Sequence, residues 1–192
     1  MDFLALAREA RTCRRFDESA PLSQQDLEWL LECARLAPSA RNAQELRFIT
    51  ITRGPMLDKL FPLTRWAAAL RDWHGPEPGE RPTAFIAVLM PESPSSLLYI
   101  DAGIACQTIQ LAAASRGWGM CMIHSFEHGE AADLLHVPSP LKIVLLLGIG
   151  KAVEKRVVAN MPPDGSFAYW RDSAGVHHVP KRPLAELLIQ QY

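Results

Sequence analysis

An excess of charge of either sign is what this sequence most plainly lacks. Twenty Lys and Arg stand against 21 Asp and Glu, a formal net charge of −1. A chain so balanced exerts no overall pull on nucleic acid or on a membrane surface, so any anion site must be local. Long apolar runs are lacking too: stretches such as Ile143 to Leu147 fall far short of the roughly 18 residues of a membrane span. The N-terminus, MDFLALAREAR, carries an acid at Asp2 and only a brief apolar stretch, unlike a signal peptide. Cysteine is sparse. Cys13, Cys33, Cys106 and Cys121 form no C-x-x-C pair, which predicts free thiols in a reducing, cytoplasmic setting.

The familiar glycine cradles for phosphate are missing as well. Gly117-Trp118-Gly119 has Met122 where a dinucleotide fingerprint needs its third glycine. Gly148-Ile149-Gly150-Lys151 lacks the earlier glycine of a P-loop, and Ala152 replaces the hydroxyl residue that would hold magnesium. No G-x-S-x-G elbow surrounds any serine. His124 and His128, with Cys121 nearby, match no standard metal spacing. Cys121 reads as a buried strand residue and the histidines as surface, so no metal site is expected. His177-His178 reads as a solvated turn.

What is present is enough apolar material for a core: 48% hydrophobic residues, five of them Trp, in 192 residues. That length predicts one domain, residues 1–192, without linkers or repeats. Asp2 to Arg11 predicts a short helix. Ser23-Gln24-Gln25-Asp26 opens a second with a capping-box pattern, continued by Leu27, Leu30, Leu31 and Ala34 and ended before Pro38. Arg47 to Thr52 and Ala84 to Met90 predict strands, the latter apolar on both faces as in a covered sheet. Met56 to Leu60 and Trp66 to Trp73 predict helix. Ile100 to Arg116, apolar nearly all round, predicts a central buried helix stopped at Gly117. Gly119 to His124 and Lys142 to Gly148 predict two more strands, with a short helix over Glu130 to Leu135 between them. Pro162 to Arg182 predicts polar loop, and Pro183 to Ile189 a closing helical turn. The mixture is α+β, with helices packed on one central sheet.

Three separated segments stand out chemically. Arg11-Thr12-Cys13-Arg14-Arg15-Phe16 concentrates three arginines and a hydroxyl, suited to bidentate contact with a phosphate, although a solvated basic turn would look the same. Ala37-Pro38-Ser39-Ala40-Arg41-Asn42-Ala43-Gln44 offers donors and acceptors without bulk, as a flat polar ring would need, or as any helix-ending loop would. Val179-Pro180-Lys181-Arg182-Pro183 supplies a second basic pair.

Taken together, these segments resemble the nitroreductase family. Its opening Arg-(Ser/Thr)-x-Arg-x-Phe element is matched by Arg11-Thr12-Cys13-Arg14-Arg15-Phe16. A second signature, Pro-Ser-x-x-Asn-x-Gln-Pro-x-x-Phe, is matched at Pro38, Ser39, Asn42, Gln44 and Phe48. The stretch Asp101 to Gln107 with Gly117-x-Gly119-x-Cys121 looks like its central element, and Pro180-Lys181-Arg182-Pro183-Leu184 like its basic terminal motif.

The resemblance implies a central, mostly antiparallel sheet flanked by helices, and FMN held between the two chains of a homodimer. By that likeness Arg11, Thr12, Cys13 and Arg14 take the phosphate and ribityl chain, and Lys181 and Arg182 add positive charge. Asn42 bonds the polar edge of the ring, Pro38, Ser39 and Gln44 reach FMN from the partner chain, and the His124-Ser125 backbone approaches the ring near N5. The implied activity passes hydride from NAD(P)H through flavin N5 to a nitroaromatic, quinone or enone by a ping-pong mechanism. A non-redox flavin-binding or storage protein of the same fold is the alternative.

The match has departures. Glu45 stands where the family usually has proline, and Ala10 where many members carry another arginine. His124 replaces Glu or Gly. It could give a proton to a reduced substrate, or contribute only its backbone. Trp66 and Trp73 fit either a lid over the flavin or ordinary core.

Overall fold

The computed structural model describes residues 2–70 and 72–192. Four strands form the main sheet in the order β1-β2-β4-β3: β1 (Arg47–Thr52), β2 (Ala84–Pro91), β3 (Trp118–Ile123) and β4 (Leu141–Lys151). Every neighbouring pair is antiparallel, and a register shift opposite Val88 and Leu89 leaves Val144 as the extra residue of a bulge in β4. The expected antiparallel sheet flanked by helices is therefore the observed one.

Alternation along β2 feeds two cores. Phe85, Ala87 and Leu89 face one side, with Phe16, Trp66 and the helices α3 (Pro55–Leu60) and α5 (His128–Leu134). Ala84, Ile86 and Val88 face the other, with α2 (Gln24–Arg35) and α4 (Ser96–Ser115). A strand covered on both faces must be apolar throughout, and β2 is buried from Ala84 to Met90. α2 begins as its sequence predicts: the Ser23 side chain accepts from the Asp26 backbone N–H, and the Asp26 side chain accepts from the Ser23 N–H. α1 (Phe3–Glu9) is capped by Asp2.

α4 starts four residues earlier than expected. By length and composition it would pass for a membrane span. Here Leu98, Ala102, Ala105, Cys106, Ile109 and Ala113 line its buried face. Leu97, Tyr99 and Ile100, 43–58% exposed, lie outside it.

Two expectations fail. The described residues between Trp66 and Trp73 are not helical: α3 ends in a 3-10 turn at Phe61–Leu63, and Ala67 adopts a left-handed φ of 43° that a helix does not accommodate; residue 71 of the expected helix lies outside the described residues. Trp66 is core, its indole N–H donating to Thr64 Oγ1 at 2.8 Å. Trp73 is half-buried, with the Arg171 guanidinium 4.3 Å from its ring centre. The seven-residue spacing imitated a helical face that the chain never forms.

The second failure is larger. The stretch read as polar loop carries two strands of a three-stranded sheet, order β5-β7-β6, made of β5 (Arg156–Asn160), β6 (Trp170–Arg171) and β7 (His177–Lys181). β5 and β7 run parallel, β6 and β7 antiparallel. His177-His178 is no solvated turn: His177 is buried in β7, and His178 stacks on Trp170 with centroids 4.9 Å apart. The closing helical turn is α6 (Leu184–Leu187).

Candidate functional site

The N-terminal motif is laid along the free edge of β3. Thr12 bridges Met120, and the Cys13 N–H donates to the Met120 carbonyl at 2.9 Å. This close approach explains Gly119: a Cβ there would lie 2.4 Å from Cys13 Sγ. Gly150 likewise admits the Phe16 ring, 3.0 Å from where its Cβ would be. These glycines serve packing of the motif, consistent with their failure to form a phosphate cradle.

After β4 the chain turns back beside the motif, and the Val153 N–H donates to the Arg15 carbonyl at 3.2 Å. That turn delivers Glu154, whose side chain is fully buried, to Arg14. Glu154 Oε2 accepts from the Arg14 backbone N–H at 2.9 Å, and Oε1 accepts from Arg171 Nε and Nη2 at 2.9 and 2.6 Å. The Arg14 guanidinium lies 4.5 Å from the Tyr169 ring centre, with Nη1 3.3 Å from His177 Nε2. Because guanidinium can only donate, His177 Nε2 must accept, which leaves the proton on Nδ1. Burial pushes the His177 imidazolium down to about 4, Glu154 opposing and Arg14, Arg171 and Arg156 reinforcing it. The ring is neutral at neutral pH.

The arginines of the motif divide. Arg15 Nε donates to Glu80 Oε2 at 2.6 Å, and a second bond joins its Nη2 to Oε1; this contact holds the Glu80 carboxyl below its usual range. Arg11 Nη2 donates to the Ala7 carbonyl at 2.9 Å. Neither Arg11 nor Arg14 joins an ion pair among the described residues, and each has a buried Nε with no hydrogen-bond partner there. A buried guanidinium N–H without an acceptor is costly, so the donor set suits an anion.

The second motif is a loop under backbone strain. Arg41, Asn42 and Gln44 all take left-handed φ values, 51–56°. Such residues persist only where their surroundings fix them, and they cluster at functional sites. Here Asp101, buried on α4, accepts from the Ala40 N–H at 2.9 Å, and Ser39 Oγ accepts from the Gln44 N–H at 3.2 Å. Pro38, Ser39 and Gln44 line a cavity of about 410 Å³ floored by Leu46, Phe48 and Ala105. Asn42 is exposed.

His124 and Ser125 are exposed just past β3. Their carbonyls are engaged, Ser125 accepting from the Arg65 N–H at 2.8 Å and His124 from His128 Nε2 at 3.2 Å. Lys181 and Arg182 are exposed at the end of β7, and Arg182 pairs with Glu186 at 3.1 Å. Lys181 is four residues beyond His177, roughly 13 Å along the strand. The structure thus brings β7 to Arg14 at His177, not at the basic pair.

The buried thiols offer no nucleophile. Burial pushes Cys106 and Cys121 up to about 12 and raises Cys13. Sequence reasoning missed Glu154, Arg156, Tyr169, Arg171 and His177, all beyond the apolar run of β4. Their charge pattern is ordinary, and only contacts across the chain give them meaning.

Comparison with known proteins identifies the family of this fold. The model of the nitroreductase family matches residues 7–151. YodC of Bacillus subtilis (strain 168), which bears the name of an NAD(P)H nitroreductase, is 24% identical over 197 residues, covering 87% of this chain and 98% of YodC. A nitroreductase from Desulfovibrio desulfuricans, solved in complex with FMN, is similar with a TM-score of 0.68 and 26% identity, covering 100% of this chain and 98% of that one. A nitroreductase family protein from Clostridium novyi NT shares the fold with a TM-score of 0.66 and 23% identity, covering 79% of this chain and 86% of its own.

Proposed function

The chain belongs to the nitroreductase family, and from that premise we propose that it is an FMN-dependent oxidoreductase drawing on NAD(P)H. The observation that carries this reading is the pair of buried, partnerless Nε–H groups of Arg11 and Arg14, two guanidiniums that no carboxylate of the described chain neutralises. A phosphomonoester carries nearly two negative charges and three strong acceptor oxygens, which is the complement such donors require.

Arg11, Thr12, Cys13 and Arg14 would hold the phosphate and ribityl end; Lys181 and Arg182, at the far end of β7, would add positive charge only from a distance. Asn42 would bond the polar edge of the ring, and the backbone at His124-Ser125 would face it near N5. When bound, FMN supplies a hydride relay at N5 between NAD(P)H and a nitroaromatic, quinone or enone acceptor. The chain's own part is to bind, orient and polarise. Cations aimed at the flavin favour the negative charge of its reduced form. His124, exposed just past β3, would either give a proton to the reduced acceptor or contribute only its backbone.

A homodimer belongs to the same reading. Leu97, Tyr99 and Ile100 give α4 an apolar outer face, and a second copy would cover it. Pro38, Ser39 and Gln44 would then reach across to the neighbour's FMN.

The test is steady-state oxidation of NADH and of NADPH by the FMN-reconstituted protein with a quinone or nitroaromatic acceptor. Turnover that depends on both added FMN and acceptor is expected. Flavin binding without turnover would overturn the enzymatic reading and leave a storage protein.

A further inference from the structure

Beyond Arg11 and Arg14, a further arginine beside the motif joins no acid. Arg15 is closed by Glu80, and Arg171 by Glu154. Arg156, at the start of β5, lies beside the motif, its Nη1 3.1 Å from the position a Gly119 Cβ would take and its charge bearing on the Cys13 thiol. Its Nε and Nη1 are buried and meet no oxygen or nitrogen acceptor among the described residues, only the weakly accepting Cys13 thiol lying beside them, and it joins no ion pair there.

We propose that Arg156 is a phosphate ligand of this site, acting with Arg11 and Arg14 on the terminal phosphomonoester of the flavin nucleotide. The inference rests on the FMN reading above.

Two observations converge on it. The first is the inventory of buried donors. Arg11 Nε, Arg14 Nε, Arg156 Nε and Arg156 Nη1 are partnerless, while the carboxylates of Glu80 and Glu154 are already paired with Arg15 and Arg171. Leaving these guanidinium donors unmatched is costly, and a dianion with three acceptor oxygens is the ligand that satisfies several of them together. The second is placement. The turn that brings Glu154 to the Arg14 backbone brings Arg156 two residues later, and pairing of Arg156 with His177 in the β5–β7 ladder fixes it there. Ala10, buried just before the motif, contributes no cation.

The experiment compares FMN with riboflavin, which lacks the phosphate, by fluorescence titration of the flavin-free protein and its Arg156→Gln and Arg156→Lys variants. The wild type should bind FMN far more tightly than riboflavin. Arg156→Gln should weaken FMN about 10- to 100-fold and leave riboflavin unchanged, as loss of a charged hydrogen-bond donor predicts. Arg156→Lys should fall between. An unchanged FMN-to-riboflavin ratio in Arg156→Gln, with the wild-type preference intact, overturns the inference and spares the FMN reading. A wild type that binds neither flavin overturns both. Should Arg156→Gln fail to fold, Arg156→Lys decides by the same ratio.

Discussion

The two sheets of this molecule are held by different forces. In the four-stranded sheet, β2 is apolar on both faces and feeds two buried clusters, so removal of hydrocarbon from water dominates. The three-stranded sheet is built from Trp170 stacked on His178, Asp172 accepting from His178, and the Glu154–Arg171 pair, with Val158 and Trp170 left 40–43% exposed. Apolar burial is cumulative and tolerant, whereas a buried charge network depends on each member. The first sheet is therefore the platform. The second is a cover whose attachment runs through Arg14, a residue of the candidate cofactor site.

The contrast can be broken at either end. Phe85→Ala removes a fully buried ring from β2 and should cost about 4 kcal/mol. Chemical denaturation should show both sheets lost in one transition, because the smaller leans on the larger. Glu154→Ala should cost about 3 kcal/mol by leaving Arg171 buried without its partner, but locally. Hydrogen exchange should quicken at the amides of β6 and β7 while those of β2 and β4 keep their protection. Equal loss in both sheets would erase the distinction. Smallest is the effect of acid. With His177 at about 4 when folded and near 6.5 when unfolded, the unfolded chain binds more protons between those values. The contribution of the neutral ring is complete above pH 6.5 and is lost progressively as pH falls toward 4. Thermal melts across that window should show the decline, and His177→Gln should flatten it.

The same contrast explains what the sequence could tell. β1 to β4 were legible because runs such as AFIAVLM and KIVLLLG state burial directly, and α2 because its capping box is local. The second sheet was not. Its strands are short and polar, Pro180 lies inside β7, and the bond joining Glu154 to Arg14 spans 140 residues. At the candidate site, Arg11 to Phe16 and Pro38 to Gln44 announced themselves by composition. Arg156 and His177 did not, because a lone arginine after a strand and a pair of histidines acquire a role only through what they meet. The left-handed backbone at Arg41, Asn42 and Gln44 was equally hidden, since none of the three is glycine.

The account turns on a flavin nucleotide seated between two copies of this chain. Sedimentation of the protein with FMN, followed at the flavin absorption band, tests that most directly. Flavin absorbance moving with a dimer, one FMN to each protomer, is the predicted result. A monomer at working concentration, or a dimer that leaves all of the flavin behind, would contradict it.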